Sequence, residues 1–233
     1  VAYWLQGDRQ QERQSYLESV QQQPDYLPAL LNLGHNYLEQ GEFPQALQQY
    51  RQVLQLQPFE PKALYNSALA YWQLGRILEA KQAFTSYLTH YRSGKWAFRA
   101  LDHLHNLGDY SYRAYRIGSY QIILNAKALL DGTAEDRERE LQRLDQAMAG
   151  LTDCELHLVI FDAGNKERAK TGAMSLKNHL AGRLDNSSIS IRLSWFDTPE
   201  NIIDAGSGQE RTLAQSLLLF TKPLPNLTTR NST

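Results

Sequence analysis

A repeat with a period of 34 residues runs through the first half of the chain, and it restricts the fold more than any other feature of the sequence. A period of this length is typical of a solenoid, in which each repeat buries its apolar face against its neighbours. The same shift toward the N terminus aligns Tyr16 with Tyr50 and Pro24 with Pro58, so we expect the chain to open partway through an earlier repeat. The matches that define the period are Leu30 with Leu64, Gly34 with Ala68, Tyr37 with Tyr71, Gly41 with Gly75, Ala46 with Ala80, and Tyr50 with Phe84.

The residues of each repeat predict a pair of helices joined by a short turn. Small residues are expected where the two helices touch, and aromatic residues where neighbouring repeats meet. Gly41 and Gly75 are expected to end the first helix of each pair, and Pro58 and Pro61 to separate one repeat from the next. After Tyr91 the period weakens, but an apolar stripe at helical spacing predicts a capping helix or a partial third repeat that stops at Gly108. That stripe consists of Trp96, Phe98, Leu101, Leu104 and Leu107.

Two segments carry a resemblance to a known repeat family. Residues 30–58, LLNLGHNYLEQGEFPQALQQYRQVLQLQP, resemble the tetratricopeptide repeat almost position for position, and residues 64–88 resemble it more loosely. The resemblance implies a groove, built from the first helix of each pair, that binds a protein or peptide partner. The residues expected to line this groove are Leu31, Asn32, His35, Leu38, Tyr65, Asn66, Leu69 and Trp72.

The eight groove candidates do not all have the same interpretation. Leu38, Leu69 and Trp72 fit packing between helices as well as they fit a groove. Asn32 and Asn66 recur at one repeat position, where an exposed amide can hydrogen-bond a bound peptide backbone. Some members of the family hold a terminal carboxylate with Lys, Arg and Asn side chains. Only Asn66 matches that pattern, so we do not predict that ligand.

The character of the sequence changes near Ser111, where strand-like segments begin to alternate with helical ones. Their order predicts helices packed against one mixed sheet. The predicted strands span residues 116–124, 155–161, 188–195 and 213–220, and the predicted helices span residues 136–151 and 168–184.

One helical segment of the second half resembles a bacterial family. Residues 165–180, NKERAKTGAMSLKNHL, resemble the signature helix of OmpA-like peptidoglycan-binding domains. The pattern matches without gaps at Asn165, Ala173, Ser175, Leu176 and Leu180, and the preceding strand ends in an Asp, as in the family. The resemblance covers about residues 116–220. It implies an OmpA-like α/β sandwich in the bacterial cell envelope.

The resemblance also implies a ligand site. In the family, an Asp after the second strand and an Arg in the signature helix hold the diaminopimelate of the cell-wall peptide. Asp162 matches the first position, but Gly172 stands at the second and has neither donor nor charge. Arg168 lies one turn earlier and provides a substitute cation. Asp162, Asn165 and Arg168 are therefore candidates for peptidoglycan binding. The alternative is that Arg168 belongs to a solvated helix face and Asp162 caps the helix.

Composition and motifs argue against other classes of function. With 24 Lys plus Arg against 25 Asp plus Glu, the net charge of −1 gives no attraction to nucleic acid or anionic lipid. The only cysteine, Cys154, offers no internal disulfide, and no apolar run is long enough for a transmembrane segment. No histidine pair has metal-ligand spacing, and no nucleophile elbow or P-loop is present. We therefore expect no catalytic residue, no metal and no cofactor.

Together these features predict an α + α/β protein. Residues 1–110 are expected to form a tetratricopeptide solenoid with a capping helix, residues 111–222 an OmpA-like α/β sandwich with a mixed sheet, and residues 223–233 a flexible tail. The predicted function is a non-catalytic scaffold in the periplasm or at the outer membrane, whose groove holds a partner protein and whose OmpA-like domain has lost peptidoglycan binding. The alternative is an adaptor that this domain still anchors to peptidoglycan.

Overall fold

The computed structural model describes residues 9–182, 189–203 and 208–224 of the chain. It divides into two compact units, with the boundary between Asp109 and Tyr110. The tail predicted for residues 223–233 lies outside the described residues from position 225 onward, as does the C-terminal end of the helix predicted to reach residue 184.

The first unit consists, in its described part, of six helices. Prolines stand in the first turn of α2, α3 and α4, where the missing N–H has no intrahelical partner to lose. Gly41 and Gly75 follow the ends of α2 and α4 with φ of +77° and +69°, a left-handed conformation that glycine adopts without strain. The helices are α1 (Arg9–Gln22), α2 (Leu27–Glu39), α3 (Phe43–Leu56), α4 (Pro61–Gln73), α5 (Ile77–His90) and α6 (Gly94–Asn106).

The helices pack as consecutive antiparallel pairs, α2 against α3 and α4 against α5, with α3 also against α4 and α6 against α5. Gly34 in α2 leaves room for the ring of Tyr50 in α3, because a Cβ at Gly34 would lie 2.7 Å from Tyr50 Cε1. Leu30, Ala46 and Val53 complete the core of the first pair, and Ala63 of α4 belongs to the same cluster. The first unit is therefore a tetratricopeptide-like solenoid.

The second unit is built on a five-stranded mixed sheet in the order β2-β1-β7-β3-β4. β1 pairs antiparallel with β2 and parallel with β7, while β3 pairs antiparallel with β7 and parallel with β4. A separate two-stranded ribbon joins β5 to β6. The strands are β1 (Tyr112–Ile117), β2 (Tyr120–Asn125), β3 (Cys154–Asp162), β4 (Ile189–Phe196), β5 (Glu200–Ile203), β6 (Glu210–Leu213) and β7 (Gln215–Pro223).

Three helices pack on the sheet: α7 (Ala126–Asp131), α8 (Ala134–Met148) and α9 (Lys166–Ala181). Burial alternates along β3, so that Leu156, Leu158 and Ile160 all face the apolar core. Leu176 and Leu180 of α9 enter the same core, so α9 is fixed against the sheet along one face.

The structure corrects the predicted strands in two places. Residues 116–124 are not one strand, because Gly118 has a φ of +61° and starts a two-residue turn between β1 and β2. The strand predicted for residues 213–220 is divided as well, since β6 ends at Leu213 and β7 begins at Gln215. Small or polar residues interrupt the apolar pattern at both breaks, Gly118 and Ser119 at the first and Gln215 and Ser216 at the second.

Candidate functional site

A cavity of about 430 Å³ opens on the first unit between the first helices of the two repeats. We call this space the groove cavity, and nine residues line it. They come from α2, α4, α5 and α6, and five of them are among the eight residues that the sequence predicts for the groove: Leu31, Asn32, His35, Tyr65 and Asn66. The other four are Pro61, Lys62, Tyr87 and Trp96.

Aromatic rings form one wall of the groove cavity. The ring of Tyr65 lies 5.5 Å from that of Tyr87 and 5.1 Å from that of Trp96, both in edge-to-face contact. Tyr65 is buried while Trp96 is 46% exposed, so the wall runs from the interior to the surface. Burial raises the pKa of Tyr65, Arg99 opposes the rise and Asp102 adds to it. The phenol is therefore a neutral hydrogen-bonding group at physiological pH.

Basic and amide groups surround that wall. Lys62 and Asn66 are contributed by α4, while Lys95 Nζ and Arg99 Cζ lie 5.3 and 5.0 Å from the centroid of the Trp96 ring. His35 Nε2 lies 3.1 Å from Glu39 Oε1 on the same helix. None of the nine described residues that line the groove cavity is acidic.

Three predicted groove residues lie elsewhere. Leu38 is half-buried and packs against the core of the first repeat, and Leu69 is half-buried. Trp72 is 39% exposed, and its ring centroid lies 4.8 Å from that of His103. None of the three lines the groove cavity.

Sequence reasoning missed four residues that line the cavity. Lys62 precedes Tyr65 and Asn66 by three and four positions in α4, and this helical spacing could have indicated it. Trp96 follows the point where the period weakens, so no repeat position indicated its place.

A second cavity, of about 230 Å³, lies in the second unit beside the end of β3. Asp162 and Arg168 form a two-pronged ion pair at its edge: Arg168 Nη2 donates to Asp162 Oδ1 over 2.7 Å, and Arg168 Nε donates to Asp162 Oδ2. The Asp162 side chain is 3% exposed and that of Arg168 is 57% exposed. The pair raises the pKa of Arg168, which remains a cation.

Local backbone contacts explain this placement. Asp162 is the last residue of β3, and the next two amides donate to Ala214 and Asp197 carbonyls over 2.7 and 2.8 Å. Asn165 caps α9, because its side chain accepts from the Arg168 amide over 3.0 Å. The alternative in which Asp162 caps this helix is therefore wrong.

Two other positions complete this site. Gly172 lies one turn beyond Arg168 and lines the cavity, and a Cβ there would lie 3.3 Å from Ile160 Cδ1. Arg192 does not approach Asp162; its Nε donates to Glu155 Oε1 over 2.8 Å. The structure thus brings Asp162, Asn165 and Arg168 together.

Residues 9–182, 189–203 and 208–224 hold no group of three or more His, Cys, Asp or Glu side chains suited to a metal ion. Within the same ranges no helix has the length and apolar character needed to cross a membrane.

The first unit belongs to the class of helical-repeat solenoids. A family model described as tetratricopeptide repeat matches residues 31–97, so the N-terminal half carries tetratricopeptide repeats. A crystal structure of a tetratricopeptide repeat protein from Parabacteroides merdae ATCC 43184 is similar at 19% identity and a TM-score of 0.41. That match covers 77% of this chain and 58% of the other, so the chain spans little more than half of that protein. No curated protein matches the sequence.

Proposed function

We propose that the protein is a non-catalytic scaffold of the bacterial cell envelope, and that its groove cavity holds an extended segment of a partner protein. In this proposal residues 111–222 form an OmpA-like domain that has lost peptidoglycan binding and serves as a structural or docking module. The protein then works in the periplasm or at the outer membrane. Cell fractionation tests the location, and recovery in the cytoplasm alone would contradict it.

The observation that carries the proposal is the groove cavity. It presents two exposed or half-buried amides, Asn32 and Asn66, beside an aromatic wall. An amide side chain offers both donors and an acceptor, which suits the polar backbone of an extended peptide. The aromatic wall offers apolar area for one of its side chains. Tetratricopeptide repeats support protein interaction as the general function.

The test is site-specific photo-crosslinking in the cells that produce the protein. His35 is exposed and lines the groove cavity, whereas Gln52 is exposed on α3 and lines neither cavity described above. With p-benzoylphenylalanine in place of His35, we expect a discrete adduct with another protein. The matched variant at Gln52 should give none. Adducts of equal yield from both positions, or none from His35, would contradict the proposal.

A second candidate function is the peptidoglycan-anchored adaptor, which the ion pair of Asp162 and Arg168 favours. The pair sets a cation and a carboxylate beside a cavity, and the exposed guanidinium retains donors for a ligand carboxylate. In this proposal Arg168 replaces the arginine that is missing at Gly172.

Co-sedimentation with isolated peptidoglycan sacculi distinguishes the two functions. The adaptor predicts pelleting that Asp162→Ala and Arg168→Gln abolish, while Arg192→Gln, which also removes an exposed arginine paired with a carboxylate, leaves it intact. The scaffold predicts no pelleting, with binding gained by Gly172→Arg. If none of these proteins pellets, the OmpA-like interpretation of this domain is contradicted.

A further inference from the structure

The groove cavity has a charge pattern that restricts its ligand. Lys62 lines it, and Lys95 and Arg99 lie over the ring of Trp96, which also lines it. These three cations come from two helices and are exposed, so they are available to a ligand that crosses the cavity.

The neighbouring carboxylates do not cancel this pattern. Glu39 contacts both His35 and Arg9, at 3.1 and 2.8 Å. Glu60 accepts from the Ala63 amide over 2.6 Å and so caps α4. Asp102 lies on the same helix as Lys95 and Arg99, so this carboxylate offsets only one of the two positive charges.

The apolar part of the cavity restricts the ligand further. Leu31, Tyr65, Tyr87 and Trp96 line a space of about 430 Å³, enough for a large side chain. Lys95 and Arg99 lie over the ring of Trp96, and the same ring forms part of the apolar wall. The positive charge and the apolar surface of the cavity are therefore adjacent. A ligand that satisfies both has an anionic group next to a bulky apolar one.

We propose that the groove takes an extended peptide in which Asp or Glu is adjacent to a bulky aliphatic or aromatic residue. This inference rests on the proposed groove function and adds the chemistry of the partner. The carboxylate lies near Lys62 and Arg99, the apolar side chain packs on the aromatic wall, and Asn32 and Asn66 hydrogen-bond the peptide backbone.

The test is a selection of short random peptides displayed on phage, with the chain of 233 residues as bait. The double variant Lys62→Glu with Arg99→Glu serves as the counter-bait, since both side chains are exposed and their replacement leaves the core intact. Lys177→Glu, on an exposed lysine of α9, is the matched control for charge reversal away from the groove. Circular dichroism checks that each bait is folded.

The expected result is enrichment of sequences that place Asp or Glu next to Phe, Trp, Tyr, Leu or Met, on the unmodified chain and on Lys177→Glu but not on the counter-bait. The selected peptide should lose affinity when its acidic residues become Asn or Gln. Lys62→Gln and Arg99→Gln should each weaken it about two- to fivefold, the range for an exposed charge pair, and added salt should weaken it further.

The other outcomes separate this inference from the function on which it rests. Enrichment of neutral or basic sequences that depend on the groove would overturn the acidic ligand and leave peptide binding in place. If no sequence is enriched over the counter-bait and no adduct forms at His35, both fail.

Discussion

At the scale of single residues, Gly34 controls how closely the two helices of the first repeat approach. Tyr50 is fully buried beneath it, and two atoms of its ring would lie only 2.7 and 3.0 Å from the methyl group of an alanine at position 34. The equivalent residues of the next repeat are Ala68 and Phe84, so a methyl group is accommodated there beside a buried ring. In each repeat the small residue is therefore matched to the aromatic residue that packs against it, Gly34 to Tyr50 and Ala68 to Phe84.

Gly34→Ala should accordingly destabilise the first repeat. Overpacking costs about 1 to 3 kcal/mol, while alanine returns about 1 kcal/mol of helix propensity, so we expect a net loss of up to about 2 kcal/mol. Urea unfolding measures it. Gly172→Ala is the matched helix position, where the methyl approaches only the tip of Ile160, and it should cost less. Equal or greater stability of Gly34→Ala would contradict this reasoning.

Glu12 is the second residue with a specific consequence. Burial by itself raises the pKa of Glu12, but hydrogen bonds from Arg9, Tyr16 and Asn36 outweigh it and hold the pKa below the usual glutamate value. A lowered folded pKa contributes stability that is present above the unfolded value of about 4.3 and is lost as the pH falls through the folded pKa.

We therefore expect acid to loosen α1 from α2. Hydrogen exchange of the α1 amides should accelerate as the pH falls below about 4, beyond the intrinsic change in exchange rate. In Glu12→Gln this excess should disappear, because no carboxylate is left to protonate. The same excess in the variant would show that other groups, such as the pair of Arg13 and Glu42, cause the loosening.

At the scale of elements, a buried ion pair links the ribbon of β5 and β6 to the sheet. Arg113 of β1 donates to both oxygens of Glu200 of β5, over 2.6 and 3.1 Å, and their side chains are 13% and 8% exposed. Arg113 also donates to the Leu217 carbonyl of β7. Burial lowers the pKa of Arg113, but the hydrogen bonds and charge of Glu200 outweigh it and raise the pKa, so the guanidinium remains a cation.

Removing either partner alone should be costly. Arg113→Leu or Glu200→Leu leaves one buried charge without its counterion, which costs about 3 to 5 kcal/mol. The double variant should lose much less than the sum of the two, because no isolated charge remains. Urea unfolding of the four proteins gives the coupling energy. Additive losses would contradict a coupled pair.

Some of these structural features could be predicted from the sequence and others could not. The helix pairs could be predicted, because small and aromatic residues recur at a fixed spacing and fix the packing locally. The turn at Gly118 was missed, although Gly118 and Ser119 separate two strand-like runs and the core-facing positions shift from Ile117 to Ile122 across them. The contact of Arg168 with Asp162 was one of two open interpretations, because it depends on how Asn165 starts α9. Trp96 lines the groove cavity because of the way α6 packs, and no repeat position indicated that packing.

At the scale of the whole molecule, each of the two units has apolar core residues of its own among those that the structure describes. Leu30, Tyr50 and Val53 belong to the core of the first repeat, while Leu156 and Leu176 belong to the core of the second unit. A core of its own is the property that lets a domain fold independently. The two proposed activities, peptide binding and anchoring to the cell wall, therefore fall on different units and can be tested separately.

Residues 1–109 and 110–233, produced separately, should each unfold cooperatively, and their circular dichroism spectra should add up to that of the intact chain. The first fragment should bind the selected acidic peptide with the affinity of the whole chain, because every residue that lines the groove cavity lies within it. The second fragment should behave with sacculi as the whole chain does, because Asp162, Arg168 and Gly172 lie within it. A first fragment that folds but loses the peptide would mean that binding requires residues beyond 109. Since the lining residues would be unchanged, that result would contradict the assignment of the groove cavity as the complete binding site.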